Sequence, residues 1–81
     1  MRKRVYEIVS YFCLEPRSDY HYAVHVDGNI EVGRISEESS GGVLFVCLVG
    51  EADESTMSFK QAEAWDLLVN HLMDKYDLKR R

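Results

Sequence analysis

The chain is short of the residues that break or staple small folds, with one proline, five glycines and two cysteines in 81 residues. So little Gly and Pro argues against a collagen-like or disordered polymer. Two cysteines, Cys13 and Cys47, are too few for the disulfide framework of a small secreted domain. Both sit in apolar runs and are expected as buried reduced thiols. No apolar run approaches the roughly 20 residues needed to span a bilayer. The basic start Met1-Arg2-Lys3-Arg4 meets Glu7 too early for a signal peptide. The expectation is a cytoplasmic chain that makes no use of a membrane, folded as a single α+β domain over 1–81 with basic terminal tips.

Bases are scarce in the middle. Seven of the ten Lys and Arg residues lie at the ends (Arg2, Lys3, Arg4, Lys75, Lys79, Arg80, Arg81). Between Val5 and Asp74 three bases face thirteen acids, a net −10. Phosphate binding draws on clustered Lys and Arg, so this body argues against direct nucleic-acid binding. It suits a protein partner with a basic surface, found by electrostatic steering.

The patterning predicts four strands and a helix. Residues Arg4 to Leu14 are apolar on both alternating faces, which reads as a strand covered on both sides; Pro16 ends it. Tyr20, Tyr22, Val24 and Val26 then alternate with His21, Ala23 and His25. The turn residues Asp27-Gly28-Asn29 lead into Ile30 and Val32. A three-residue loop made of those turn residues would pair Val26 with Ile30 and Val24 with Val32, apolar against apolar. Val43 to Val49 is an unbroken apolar strand. Ser58-Phe59-Lys60-Gln61 fits a capping box. It opens a helix whose apolar stripe is expected at Phe59, Ala62, Trp65, Val69, Leu72, Met73 and Tyr76.

The order β-β-β-β-α predicts a four-stranded antiparallel sheet with one C-terminal helix packed on one face. In a simple meander the two most apolar strands would be edges, which template unwanted pairing. Either they pair with each other or another chain completes the sheet. One helix also leaves the second face bare, so a homodimer is expected.

Candidates for chemistry are few. His21 and His25 share a face, but four residues of strand put them about 13 Å apart, too far to grip one ion. No CxxC spacing exists, and the HxxxH of His21 and His25 falls in a strand rather than on a helix, so no metal is expected. No serine or cysteine has a base beside it in sequence, and no glycine-rich phosphate cradle is present. Neither a catalytic residue nor a cofactor is assigned, and the chain is expected not to be an enzyme. The partner-binding candidates are the acidic loops Glu37, Glu38, Glu51, Asp53 and Glu54, with Tyr20 and Tyr22 as interface aromatics.

The hairpin Tyr22-Ala23-Val24…Asp27-Gly28-Asn29 and a last helix opening with Ser58-Phe59 and carrying Ala62, Ala64 and Trp65 give a layout that resembles small phage-encoded anti-CRISPR proteins. The resemblance implies an inhibitor that docks on a basic, nucleic-acid-binding surface of a defence protein. The alternative is a structural protein acting through its own homo-oligomer.

Overall fold

The computed structural model describes residues 5–14, 20–36, 41–50 and 57–78. The elements are β1 (Glu7–Cys13), β2 (Tyr22–Val24), β3 (Ile30–Val32), β4 (Val43–Val49) and α1 (Phe59–Lys75). The sheet order is β1-β4-β2-β3. The element order matches the sequence reading; the expected antiparallel sheet does not. β4 pairs in parallel with β1 on one side and β2 on the other, and only β2–β3 is antiparallel.

The reason is the shortness of β2. Parallel neighbours usually need a crossover of a dozen or more residues. Here only residues 14–21 lie between β1 and β2. Cys13 ends β1 opposite Val49, and Tyr22 starts β2 opposite Val46, so the chain has only three residues of strand to retrace. That is about 10 Å back and about 10 Å across two strand spacings, within the ~28 Å that eight residues can reach. The two apolar strands therefore do pair within one chain. β4 becomes interior and β1 remains an edge.

Register divides the side chains cleanly. Ile8, Ser10 and Phe12 of β1 line up with Leu44, Val46 and Leu48 of β4, and the latter two with Tyr22 and Val24 of β2. This face meets α1 in one core with Val5, Leu68 and Leu72. The opposite face carries Val9, Tyr11 and Cys13 beside Val43, Phe45, Cys47 and Val49, with Ala23.

Two local expectations shift. The hairpin is closed by His25 N–H donating to the Asn29 carbonyl at 2.8 Å, and Val24 pairs with Ile30. The loop is thus Val26-Asp27-Gly28. Gly28 has φ +88°, the left-handed residue that ends a three-residue hairpin loop. The pairing differs from expectation by two residues, so every side chain keeps its face. Val26 leaves the ladder and is exposed.

Helix α1 keeps most of its expected stripe toward the sheet, with Leu72 buried and Trp65 and Tyr76 packed on the core, but Phe59 falls outside it. The residues it buries are Gln61, Leu68 and Leu72, while Phe59 is 80% exposed. Ser58 caps the helix, its Oγ accepting from Gln61 N–H at 3.0 Å, and its hydroxyl also donates to the Val26 carbonyl. The Gln61 side chain does not complete the capping box. Its amide nitrogen donates to the carbonyls of Val24 (2.9 Å) and Val49 (2.8 Å), at the ends of β2 and β4. Adjacent parallel strands end on the same side, so one amide at the helix start satisfies both. Among the described residues no helix is long and apolar enough to cross a membrane.

Gln61→Met keeps the side chain's length and leaves two carbonyls without their donor. The expected loss is about 2–3 kcal/mol, seen as a lower urea midpoint at unchanged slope. A loss below about 1 kcal/mol would show that water replaces the amide.

Candidate functional site

Glu31 points to the sheet face away from α1, in one row with Ala23 of β2 and Cys47 of β4. Tyr20, immediately before β2, folds over this row. It is buried and clusters with Ala23 and Cys47. Its hydroxyl donates to Glu31 Oε2 at 2.6 Å, while Glu31 Oε1 lies 2.9 Å from His25 Nε2. One carboxylate is thus held between a phenol and an imidazole. The side chains of His25 and Glu31 are 30% and 48% exposed, so the cluster is open to a ligand.

Backbone geometry fixes Tyr20. Gly33 N–H donates to the His21 carbonyl at 2.8 Å. A Cβ on Gly33 would fall 2.0 Å from the Tyr20 carbonyl oxygen, so this close approach admits only glycine. His21 is buried and locks the other side. Its ring stacks on Phe45 (centroids 6.0 Å apart, planes at 14°), and its Nδ1 accepts from Phe45 N–H at 2.9 Å. His21 N–H donates to the Phe45 carbonyl at 3.0 Å. The histidine thereby extends the β2–β4 pairing, and with Nδ1 accepting, the neutral ring carries its proton on Nε2.

The hydrogen bonds shift the titrating groups. Tyr20 donating to Glu31 raises the phenol above its ordinary value, with burial adding to the rise. The same bond, then that from His25, lowers the Glu31 carboxyl below its ordinary value. Both shifts keep the proton on Tyr20 and the negative charge on Glu31, so the cluster is a fixed carboxylate acceptor held between two ring side chains.

Two concave surfaces lie at the sheet edges. A cavity of about 380 Å³ by β3 is lined by Tyr22, Val32, Arg34, Ser36 and Lys75, with His21 at its wall. Its cations suit a ligand bearing a carboxylate. A larger groove of about 700 Å³ runs between β1 and α1, past Tyr6, Ile8, Trp65, Val69 and Met73. Trp65 is half-buried there, its Nε1 donating to Ser10 Oγ at 3.0 Å.

The expected partner-binding residues separate. Tyr20 is buried against Glu31, and Tyr22 lies on the opposite face as part of the core under α1. Glu37, Glu38, Glu51, Asp53 and Glu54 lie outside the described residues. His25 and Glu31 are the functional pair that sequence reasoning missed. The expected hairpin register already sets His25 directly opposite Glu31, and the observed two-residue shift leaves them diagonal neighbours on the same face. Among the described residues, no group of three or more His, Cys, Asp or Glu is placed to hold a metal ion.

The cysteines are also corrected. Cys13 and Cys47 form a disulfide, with Cα atoms 6.2 Å apart, inside the range such bonds require. Thirty-four residues separate them, so nothing in the spacing announced the pair. The parallel register sets Cys47 opposite Tyr11 and Cys13 opposite Val49, which makes the two cysteines diagonal neighbours on one face.

No family model and no curated protein matches the chain. Among solved structures, it is similar to the endolysin N-acetylmuramoyl-L-alanine amidase LysCS from Clostridium intestinale URNW. The match has a TM-score of 0.75 and 17% identity over 93% of this chain and 65% of that one. The N-acetylmuramoyl-L-alanine amidase LysC from the same organism gives a TM-score of 0.74 and 17% identity, over 93% and 66%. The chain thus spans about two thirds of the solved chains it resembles, and what it shares with them is the fold. The parallel strands flanking β4 belong to that shared fold. The expectation that this is not an enzyme is set aside, because the fold recurs in proteins titled amidases.

The Glu31 contribution to stability carries a sign. Its folded pKa lies below the ordinary one, so the contribution is complete above the ordinary carboxylate range and disappears as pH falls through the folded value. Carbon-detected NMR should place the Glu31 carboxyl midpoint below the ordinary glutamate value, and Tyr20→Phe should raise it. A Glu31 midpoint at the ordinary glutamate value in the native chain would contradict the cluster.

Proposed function

We propose that this chain recognises muramyl peptide, the substrate class named in the titles of the proteins whose fold it shares. The supporting observation is that the likeness covers 93% of the chain at a TM-score of 0.75, sheet and helix together. The Tyr20–Glu31–His25 cluster offers a carboxylate acceptor and an imidazole for the amide of an N-acetylmuramoyl-L-alanine link. Arg34 and Lys75, in the cavity by β3, offer cations for the carboxylate of an attached peptide. A stable Cys13–Cys47 bond favours an oxidising compartment over the cytoplasm suggested by composition, which fits a target in the cell wall.

A second reading keeps the acidic body central. The chain would dock on a basic protein surface as an inhibitor, or pair with its own copy through the sheet face away from α1. Exposed Ile30 and Leu67 border a cavity of about 330 Å³ whose rim carries Asp27 and Glu63 beside Lys60, an apolar patch with a net acidic rim that supports this reading.

Cosedimentation with purified peptidoglycan, scored against chitin and cellulose, separates the readings. Selective binding is expected, weakened about tenfold by His25→Ala, the loss of one charge-assisted contact. Released N-terminal alanine, measured in the same assay, reports cleavage of the amide. Equal retention on all three polymers overturns the muramyl-peptide reading.

A further inference from the structure

We propose that this chain pairs with a second copy of itself through the outer edge of β1, joining two sheets into one of eight strands across a two-fold axis at Ser10. The proposal goes beyond the muramyl-peptide reading, because the Tyr20–Glu31–His25 cluster sits at β2 and β3, on the far side of β4 from that edge.

The edge is ready for a strand. Glu7 N–H donates to the Gly42 carbonyl at 3.3 Å, and the Cys13 carbonyl accepts from Gly50 N–H at 2.8 Å. Successive strand residues turn their backbone groups to opposite sides, so Glu7, Val9, Tyr11 and Cys13 face β4. Ile8, Ser10 and Phe12 therefore present their N–H and C=O groups outward, and no described strand lies on that side. Exposed edges are usually blunted by shortness, lysine, proline or a bulge. The other edge strand, β3, is only three residues long. β1 runs seven residues in unbroken register with β4 and contains neither lysine nor proline.

The occupant is a second copy because β1 complements itself. In an antiparallel pair, residues that exchange both bonds sit directly opposite each other. With Ser10 opposite its own copy, Ile8 faces Phe12 of the second copy and Phe12 faces its Ile8. All three outward N–H groups of each copy then find a carbonyl, six bonds in all. Sliding the pair by two residues sets Ile8 or Phe12 against a residue outside β1. Apolar and aromatic side chains meet across the junction, Ile8 with Phe12 and Val9 with Tyr11. Glu7, the one charge of β1, falls opposite Cys13, so no like charges meet. A two-fold axis normal to the sheet keeps both helices on one face. The groove of about 700 Å³ between β1 and α1 then opens toward its twin. Tyr6 is 65% exposed there and Trp65, Val69 and Met73 are half-buried, so the pairing removes apolar surface from water. Among the described residues Glu7 is the only charge lining the groove, and what fits it is an apolar surface, which its twin supplies.

Light scattering after size exclusion, with amide hydrogen exchange read by NMR, tests the pairing. The expected mass is twice that of the chain. The amides of Ile8, Ser10 and Phe12 are expected to exchange at least about tenfold slower in concentrated protein than after dilution, since their bonds close only in the dimer. Ser10→Pro removes one outward N–H and no bond to β4, a place where an edge strand tolerates proline. Its cost within one copy is the Trp65 bond to the Ser10 hydroxyl. A monomer with native circular dichroism is expected of this variant, and a dimer would overturn the proposal. So would a native chain that stays monomeric at NMR concentrations, or a dimer whose three amides exchange freely, since that dimer is joined elsewhere. Protection of those amides in a monomer overturns it too, by showing that the chain covers its own edge. Should Ser10→Pro not fold, mass and exchange of the native chain decide alone. Neither measurement contains a ligand, so the pairing can fail while peptidoglycan binding stands, and binding can fail while the pairing holds.

Discussion

Everything in this fold is arranged around covering β4. Its seven residues, Val43–Val49, are apolar on both faces, and an interior place gives its backbone partners on both sides. β1 supplies one partner along its full length and β2 the other, while α1 covers one face with Leu68 and Leu72. The parallel direction of both pairings follows from that placement, since β2 is short enough for a brief connection to reach it. In turn, parallel strands that end together create the pair of carbonyls bound by Gln61. A polar residue at the start of the helix thereby becomes one of its three buried positions.

The same register builds the chemistry. On the face away from α1, the row from Tyr11 through Cys47 and Ala23 to Glu31 crosses all four strands. Ala23 is small enough for Tyr20 to lie over it, and Gly33 is bare enough to let the Tyr20 backbone approach. One carboxylate consequently meets a phenol and an imidazole without any of the three being close neighbours in sequence. The fold likeness to amidases from Clostridium intestinale gives this cluster a context, and the muramyl-peptide proposal builds on the two together.

Particular residues show how far the sequence could be read. The alternation of β1 and the unbroken run of β4 were legible because both obey the two-residue period of a strand. Ser58 was legible as a cap because its oxygen acts on the adjacent turn. Strand direction was not, because it depended on where an eight-residue connection could land. The helix stripe was legible apart from its start, where Gln61 reads as a surface residue until the carbonyls of Val24 and Val49 are brought to it. The Cys13–Cys47 bond was hidden for a related reason: it needs the parallel β1–β4 register, whereas the His25–Glu31 pair lay across the expected hairpin and was not read as a site.

By itself, the sequence determined the five elements and their order, the two-faced apolar strands, the capped helix start and the acidic body between basic tips. These depend on local periodicity and on side chains acting within a turn. Tertiary structure alone decided which strands run parallel, which cysteines meet, and that Tyr20, His25 and Glu31 share one site. The first two are contacts between distant segments, with energies that exist only once β4 has drawn its neighbours in on both sides; the third needs the folded hairpin to bring its side chains to one face.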